Sequence, residues 1–129
     1  MTQDYYGTKR ITAWQEDRDG PGYSVKYSDG YTSWSPRDVF EAAYQPLTAL
    51  SFGHALVALK EGHRVARAGW NGKGMWLVLI AAGNACHSSR AGTFPMLDCI
   101  GMKTAQGDML PGWLASQTDM LADDWQIVE

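Results

Sequence analysis

The segment from Leu50 to Trp76, LSFGHALVALKEGHRVARAGWNGKGMW, leaves this chain few ways to fold. Phe52, Ala55, Leu56 and Leu59 recur at i, i+3, i+4 and i+7, the spacing of one helix face. Ser51 stands where an N-cap is needed, and Gly62 where the left-handed residue after a helix belongs. From His63 to Arg67 polar and small apolar residues alternate, which predicts a half-exposed strand. Asn71-Gly72 predicts a two-residue hairpin turn, because both positions tolerate positive φ. Met75 to Ile80 is a continuous apolar run, most simply a buried strand.

The flanking regions read as strands and short helices. Lys9 to Trp14 predicts a first strand, followed by a charged loop from Gln15 to Gly22. Tyr23, Val25 and Tyr27 alternate with Ser24, Lys26 and Ser28, one aromatic face against one polar face. Ser28-Asp29-Gly30 turns the chain and Tyr31 to Trp34 returns it. Ser35 as cap with Pro36 at the first helical position opens a helix whose apolar face is Val39, Phe40 and Ala43, and Pro46 ends it. Residues 1–46 thus read as a small ββα appendage, marginal in stability alone and expected to dock on the main domain or a partner, with Gln45 to Ala49 as linker.

Beyond Ile80, the stretch from Ala81 to Phe94 reads as a loop. Pro95 to Met102 resumes a strand in which Gly101 suggests a bulge. Ala105 to Asp108 is a hairpin turn, and Ser116-Gln117-Thr118-Asp119 resembles a capping box for a short helix through Ala122. Trp125 to Val128 is a last short strand. The whole is α+β, with a mostly antiparallel sheet.

Composition narrows the function classes. A net charge of −3 argues against general nucleic-acid binding while allowing a local basic site. Charge is unevenly spread. Lys60, Arg64, Arg67 and Lys73 face only Glu61 within the central stretch, whereas Asp108, Asp119, Asp123, Asp124 and Glu129 have no basic neighbour near the C-terminus. Either the two regions are solvated faces that attract each other, or the basic one holds a small anion. Six tryptophans and six tyrosines fit a stacking or interface surface. Cys86 and Cys99 make no disulfide framework, and Met1 to Arg10 lacks the apolar core of a secretory leader. No apolar run approaches the roughly 20 residues of a membrane span. A cytosolic, reduced setting is expected, with no membrane partner.

No catalytic motif emerges. Cys86-His87, Cys99, His54 and His63 match no metal-ligand spacing, and the two thiols read as core residues. Asp123-Asp124 reads as a solvated acidic turn. Gly69 to Gly74 has the composition of a phosphate cradle but not the spacing of a Walker loop. Its glycine N–H groups with Arg67 and Lys73 suit one phosphate, and Trp70 suits a base; equally, the segment is a tight hairpin with its tryptophan on the core.

Several co-ordered motifs carry a resemblance: Phe52-Gly53-x-Ala55-Leu56-x-x-Leu59-x-x-Gly62, then Val65-Ala66-Arg67-x-Gly69-Trp70-Asn71-Gly72-Lys73-Gly74-Met75, then Met102-Lys103-Thr104. Trp113 to Ala122, followed by Asp124-Trp125, completes the set. Over residues 50–129 the chain resembles the second Thoeris anti-defence family of small phage and prophage proteins. The resemblance implies an antiparallel sheet wrapped around short central helices. It also implies a sponge rather than an enzyme, without cofactor or metal. Such a protein sequesters cyclic nucleotide immune signals, notably glycocyclic ADP-ribose and in some members cyclic di- or trinucleotides, in pockets at the subunit contacts of a homotetramer.

Carried over by motif, Trp70 and Trp113 are the expected aromatic walls around adenine or ribose. Arg67, Asn71 and Lys73 would meet pyrophosphate and ribose hydroxyls, and Ser116, Gln117, Thr118 and Asp119 would add polar contacts. Ser116 and Asp119 have a purely structural alternative as helix caps, and Trp125 reads as core. Residues 1–49 and the Cys86 to Arg90 loop lie outside the shared pattern. Two other functions compete with the sponge. One is a structural or interaction module with no small-molecule ligand; the other is a single-strand nucleic-acid binder, which the acidic charge disfavours.

Overall fold

A computed structural model describes residues 1–70 and 74–129 of the chain. It forms two compact units, Met1–Gln45 and Pro46–Glu129.

The first unit is a three-stranded antiparallel sheet and a helix. β1 (Thr12–Gln15), β2 (Gly22–Lys26) and β3 (Thr32–Pro36) lie in that order, followed by α1 (Arg37–Ala43). Gly30, at φ 89°, closes the β2–β3 turn where only glycine is unstrained. Val25 is buried, and the Tyr23 ring stacks on Phe40 with centroids 4.1 Å apart.

Four local expectations change here. The first strand begins at Thr12 rather than Lys9. Ser35 does not cap α1: it pairs with Tyr23 inside the sheet, and Pro36 takes the N-cap position with no side-chain bond. The sheet ladder has claimed the residues that local capping chemistry assigned to the helix. Val39 is 62% exposed and Ala43 is also exposed, so only Phe40 of the predicted apolar face packs. Ser24, expected on a polar face, is buried and donates to the Glu16 carboxylate at 2.6 Å.

The second unit is built on α2 (Phe52–Lys60). The Ser51 hydroxyl accepts from the His54 N–H, as an N-cap should. At the other end Gly62, at φ 92°, donates to Leu59 and His63 donates to Ala58, a Schellman closure. Against this helix lies a five-stranded sheet of β4 (Arg64–Arg67), β5 (Trp76–Ile80), β8 (Cys99–Lys103), β9 (Met109–Pro111) and β10 (Trp125–Val128). Its spatial order is β10-β4-β5-β8-β9, antiparallel throughout. Leu50, Ala55, Ala58, Leu59, Val65, Leu77 and Trp125 form the buried core. This is the expected α+β fold with mostly antiparallel sheet.

The connections depart from expectation in four places. Ala81 to Phe94 is not a loop: β6 (Ala85–Ser88) and β7 (Gly92–Pro95) pair as an exposed hairpin. Because neither face of this ribbon is buried, no apolar alternation marks it in the sequence. Cys86, placed in or near the core by composition, is exposed on it. β8 starts at Cys99 rather than Pro95, and Gly101 is no bulge, since the β5–β8 register runs unbroken from Trp76↔Lys103 to Ile80↔Cys99. A Cβ at Gly101 would lie 2.6 Å from Ile80 Cδ1 and 2.9 Å from Met109 Sδ, so any larger residue makes those side chains shift. Finally, β5 begins at Trp76 rather than Met75, and the connection from β4 starts after Arg67. Its predicted turn, Asn71-Gly72, lies outside the described residues.

Candidate functional site

The sheet order brings together two of the segments that carried the resemblance. Pairing of β10 with β4 sets Trp125 opposite Arg67, so the residues just before Trp125 meet those just after Arg67. The Ala68 N–H donates to the Asp124 carbonyl at 3.1 Å, extending the ladder by one step. Just upstream, α3 (Gln117–Met120) is closed by a full capping box. Ser116 Oγ accepts from the Asp119 N–H, and the Asp119 carboxylate accepts from the Ser116 N–H.

Asp119 does more than cap. Its Oδ1 accepts from Arg67 Nη1 at 2.9 Å and from Trp70 Nε1 at 3.4 Å. Its main-chain oxygen accepts from Trp125 Nε1 at 2.9 Å. One residue thus ties α3, β4, the segment after β4 and the core tryptophan of β10. Arg67 completes the cluster by donating from Nε to Asp124 Oδ1 at 2.9 Å. The Asp124 Oδ2 accepts from the Gly69 N–H at 2.8 Å.

These contacts set the charges. Arg67 and Asp119 side chains are only 15% and 14% exposed, so their ion pair is shielded from water. The Asp124 and Asp119 carboxylates raise the Arg67 pKa above its ordinary value. Burial pulls the Asp119 carboxyl upward, but bonds from Arg67, Ser116 and Trp70 outweigh it and hold the group below 3.8. Asp124 is also held below 3.8, chiefly by its bond from Arg67 and further by the Gly69 N–H.

Beside the cluster stands an aromatic group. Trp70 and Trp113 pack edge-on, with centroids 6.4 Å apart and planes at 61°. Both meet the fully buried Trp125, at 5.5 Å and 6.2 Å, and Phe52 sits 5.4 Å from Trp125. Such edge-to-face contacts suit the ring quadrupoles. The two half-buried indoles lie against Trp125 and against each other, so they form no slot between parallel rings.

Of the nine residues expected at the site, Arg67, Trp70, Trp113, Ser116 and Asp119 come together. Gln117 and Thr118 are exposed on the first turn of α3. Asn71 and Lys73 lie outside the described residues. Asp124, read as part of a solvated acidic turn, is a member of the cluster. Trp125, read as core, is also the floor on which both indoles rest. No local pattern announces Asp124, because its partners Arg67 and Gly69 are 57 and 55 positions away.

Residues 50–128, which contain this entire cluster, match the family model of the Thoeris anti-defense 2-like domain. The chain belongs to that family. A similar protein is Thoeris anti-defense 2 of Bacillus phage SP01, 40% identical over 87 residues that cover 63% of this chain and 97% of the relative. Among the described residues no helix is long and apolar enough to cross a membrane.

Proposed function

We propose that this chain is a non-catalytic sponge for cyclic nucleotide immune signals, with glycocyclic ADP-ribose as the first ligand to test. It blocks bacterial anti-phage defence by holding the signal intact in the host cytoplasm, away from the effector that would read it. The observation that carries this reading is the joining of Trp70, Trp113 and Asp119 into one half-buried patch inside the family-matched region. Each indole face can stack on a base, a contact contributing on the order of 1–3 kcal/mol. The exposed Gln117 and Thr118 side chains, with Ser116 at the start of α3, supply polar groups for ribose or phosphate, and Asn71 and Lys73 are assigned to the same ligand.

A single open patch holds a small ligand weakly, because one face remains in water. The proposal therefore includes a homotetramer in which a second subunit closes each pocket. Leu110, Leu114 and Leu121, respectively 59%, 89% and 77% exposed, supply apolar surface for such contacts.

The test is to mix the protein with glycocyclic ADP-ribose, measure free ligand by filtration, then heat-denature the protein and measure again. Depletion followed by recovery of intact ligand is expected. Recovery of a cleaved product overturns the non-catalytic reading, and absence of depletion overturns this ligand. If the patch is instead only an interaction surface, Trp70→Ala disrupts the oligomer; under the sponge reading Trp70→Ala leaves an intact oligomer that no longer binds.

A further inference from the structure

Among the described residues Arg67 is the one basic residue in this cluster, and its geometry is that of an occupied group. Its guanidinium donates to two carboxylates at once, through Nε to Asp124 and through Nη1 to Asp119, both at 2.9 Å. Among the described residues one positive charge faces two negative ones, so Arg67, Asp119 and Asp124 together carry a net negative charge. A phosphate that took the place of either carboxylate would break an ion pair. One reaching the remaining guanidinium N–H groups would lie beside both carboxylates on a side chain that is only 15% exposed. Removing one member of a shielded ion pair is far costlier than breaking a solvated one.

Asp124 has a matching geometry. Both of its oxygens accept, one from Arg67 Nε and the other from the Gly69 N–H at 2.8 Å. The carboxylate therefore bridges the last residue of β4 to the second residue beyond it, and Trp70 follows directly. Gly69 is the residue that permits this. A Cβ there would lie 2.9 Å from Asp124 Oδ2 and 3.6 Å from Arg67 Nη2. The requirement is for space rather than for backbone conformation, since Gly69 is absent from the glycines with positive φ. Trp70 is then held from its far side by Asp119 and from behind by Trp125.

We infer that Asp124 is a positioning residue for Trp70, and that Arg67 acts as an internal clamp between Asp119 and Asp124 rather than as a ligand for phosphate. This rests on the sponge reading and changes it in one respect. The charged part of the ligand is met away from Arg67, and the ligand groups that approach the two carboxylates are hydrogen-bond donors such as hydroxyls or amines.

The sign of one substitution separates the two roles. Asp124→Asn keeps the shape but places an N–H₂ against one of two N–H donors, which opens the bridge. If Arg67 bound phosphate, removing a competing negative charge would tighten glycocyclic ADP-ribose. The clamp instead requires Asp124→Asn to weaken binding about tenfold or more, the loss expected when charge-assisted bonds that orient a contact are broken. Gly69→Ala retains every charge and is expected to weaken binding in the same way by pushing the carboxylate off. Tighter binding by Asp124→Asn, or unchanged binding by Gly69→Ala, overturns the inference.

A ligand-free measurement keeps this test separate from the sponge reading. Amide exchange at Gly69 and Trp70, and the Trp70 indole N–H resonance, are followed by NMR in the full chain and in both variants. Exchange is expected to speed up at least about tenfold at Gly69 while core amides of α2 stay protected. Unchanged exchange at Gly69 overturns the clamp even if ligand binds. If the natural chain binds no cyclic nucleotide but exchange behaves as expected, the sponge reading fails and the clamp stands.

Discussion

The indole N–H of Trp125 donates to the main-chain oxygen of Asp119 at 2.9 Å, while the ring itself is completely buried. The largest core side chain of the second unit is therefore also the anchor of α3, the short helix beside the proposed pocket. Packing and site geometry are carried by one residue.

Trp125→Ala should accordingly remove both. Truncating a buried tryptophan costs about 3–5 kcal/mol. Trp125→Phe keeps most of the ring but loses the bond to Asp119. It is expected to lower stability less while still loosening α3, seen in urea unfolding and in amide exchange at Asp119 and Met120.

Ser116 caps α3 through its side chain, and its loss leaves the Asp119 N–H without that acceptor. Ser116→Ala is expected to cost about 1 kcal/mol in urea unfolding. A helix this short has few other bonds to hold it, so Ser116→Asp, another good cap, should restore most of the loss.

Acid should weaken the second unit in a defined window. Asp119 and Asp124 both have folded pKa values below the reference of 3.8, so the unfolded chain takes up their protons first as pH falls. Their stabilisation is complete above pH of about 4 and is lost as pH drops through the lower folded values. Arg67, whose pKa is raised, stays charged throughout. Arg67→Gln should flatten this acid slope in urea-midpoint measurements. Part of the slope will survive, because bonds from Ser116 and Trp70 on Asp119 and from the Gly69 N–H on Asp124 also hold those carboxyls down.

Gly101→Ala is expected to destabilise by about 1–3 kcal/mol through overpacking. The atoms it meets, Ile80 Cδ1 and Met109 Sδ, are ends of flexible side chains, so the lower end of that range applies. Gly101→Ala with Ile80→Val should recover some of the loss in thermal unfolding.

Where one neighbour on the chain decides a residue's state, the sequence was readable. Ser51 and Gly62 bracket α2 as their chemistry requires, and the Ser116 to Asp119 box forms as its spacing predicts. Ser35 and Pro36 had equally good local credentials as a helix start. Ser35 went instead to the sheet, pairing with Tyr23 of β2, while Pro36 both ends β3 and takes the N-cap position of α1. The β6–β7 hairpin escaped detection for the opposite reason: with no buried face, its sequence had no pattern to keep.

The residues alone determined the α+β class, the caps of α2 and α3, and the tryptophans and charges available to a site. All of these follow from periods and bonds spanning a few positions. Tertiary structure alone decided that β10 lies beside β4, and hence that Asp124 reaches Arg67 and Gly69 across more than fifty residues. It also turned the two expected walls, Trp70 and Trp113, into neighbours resting on Trp125. Contacts of that range depend on which surfaces bury best against each other, and no short window of sequence contains that information.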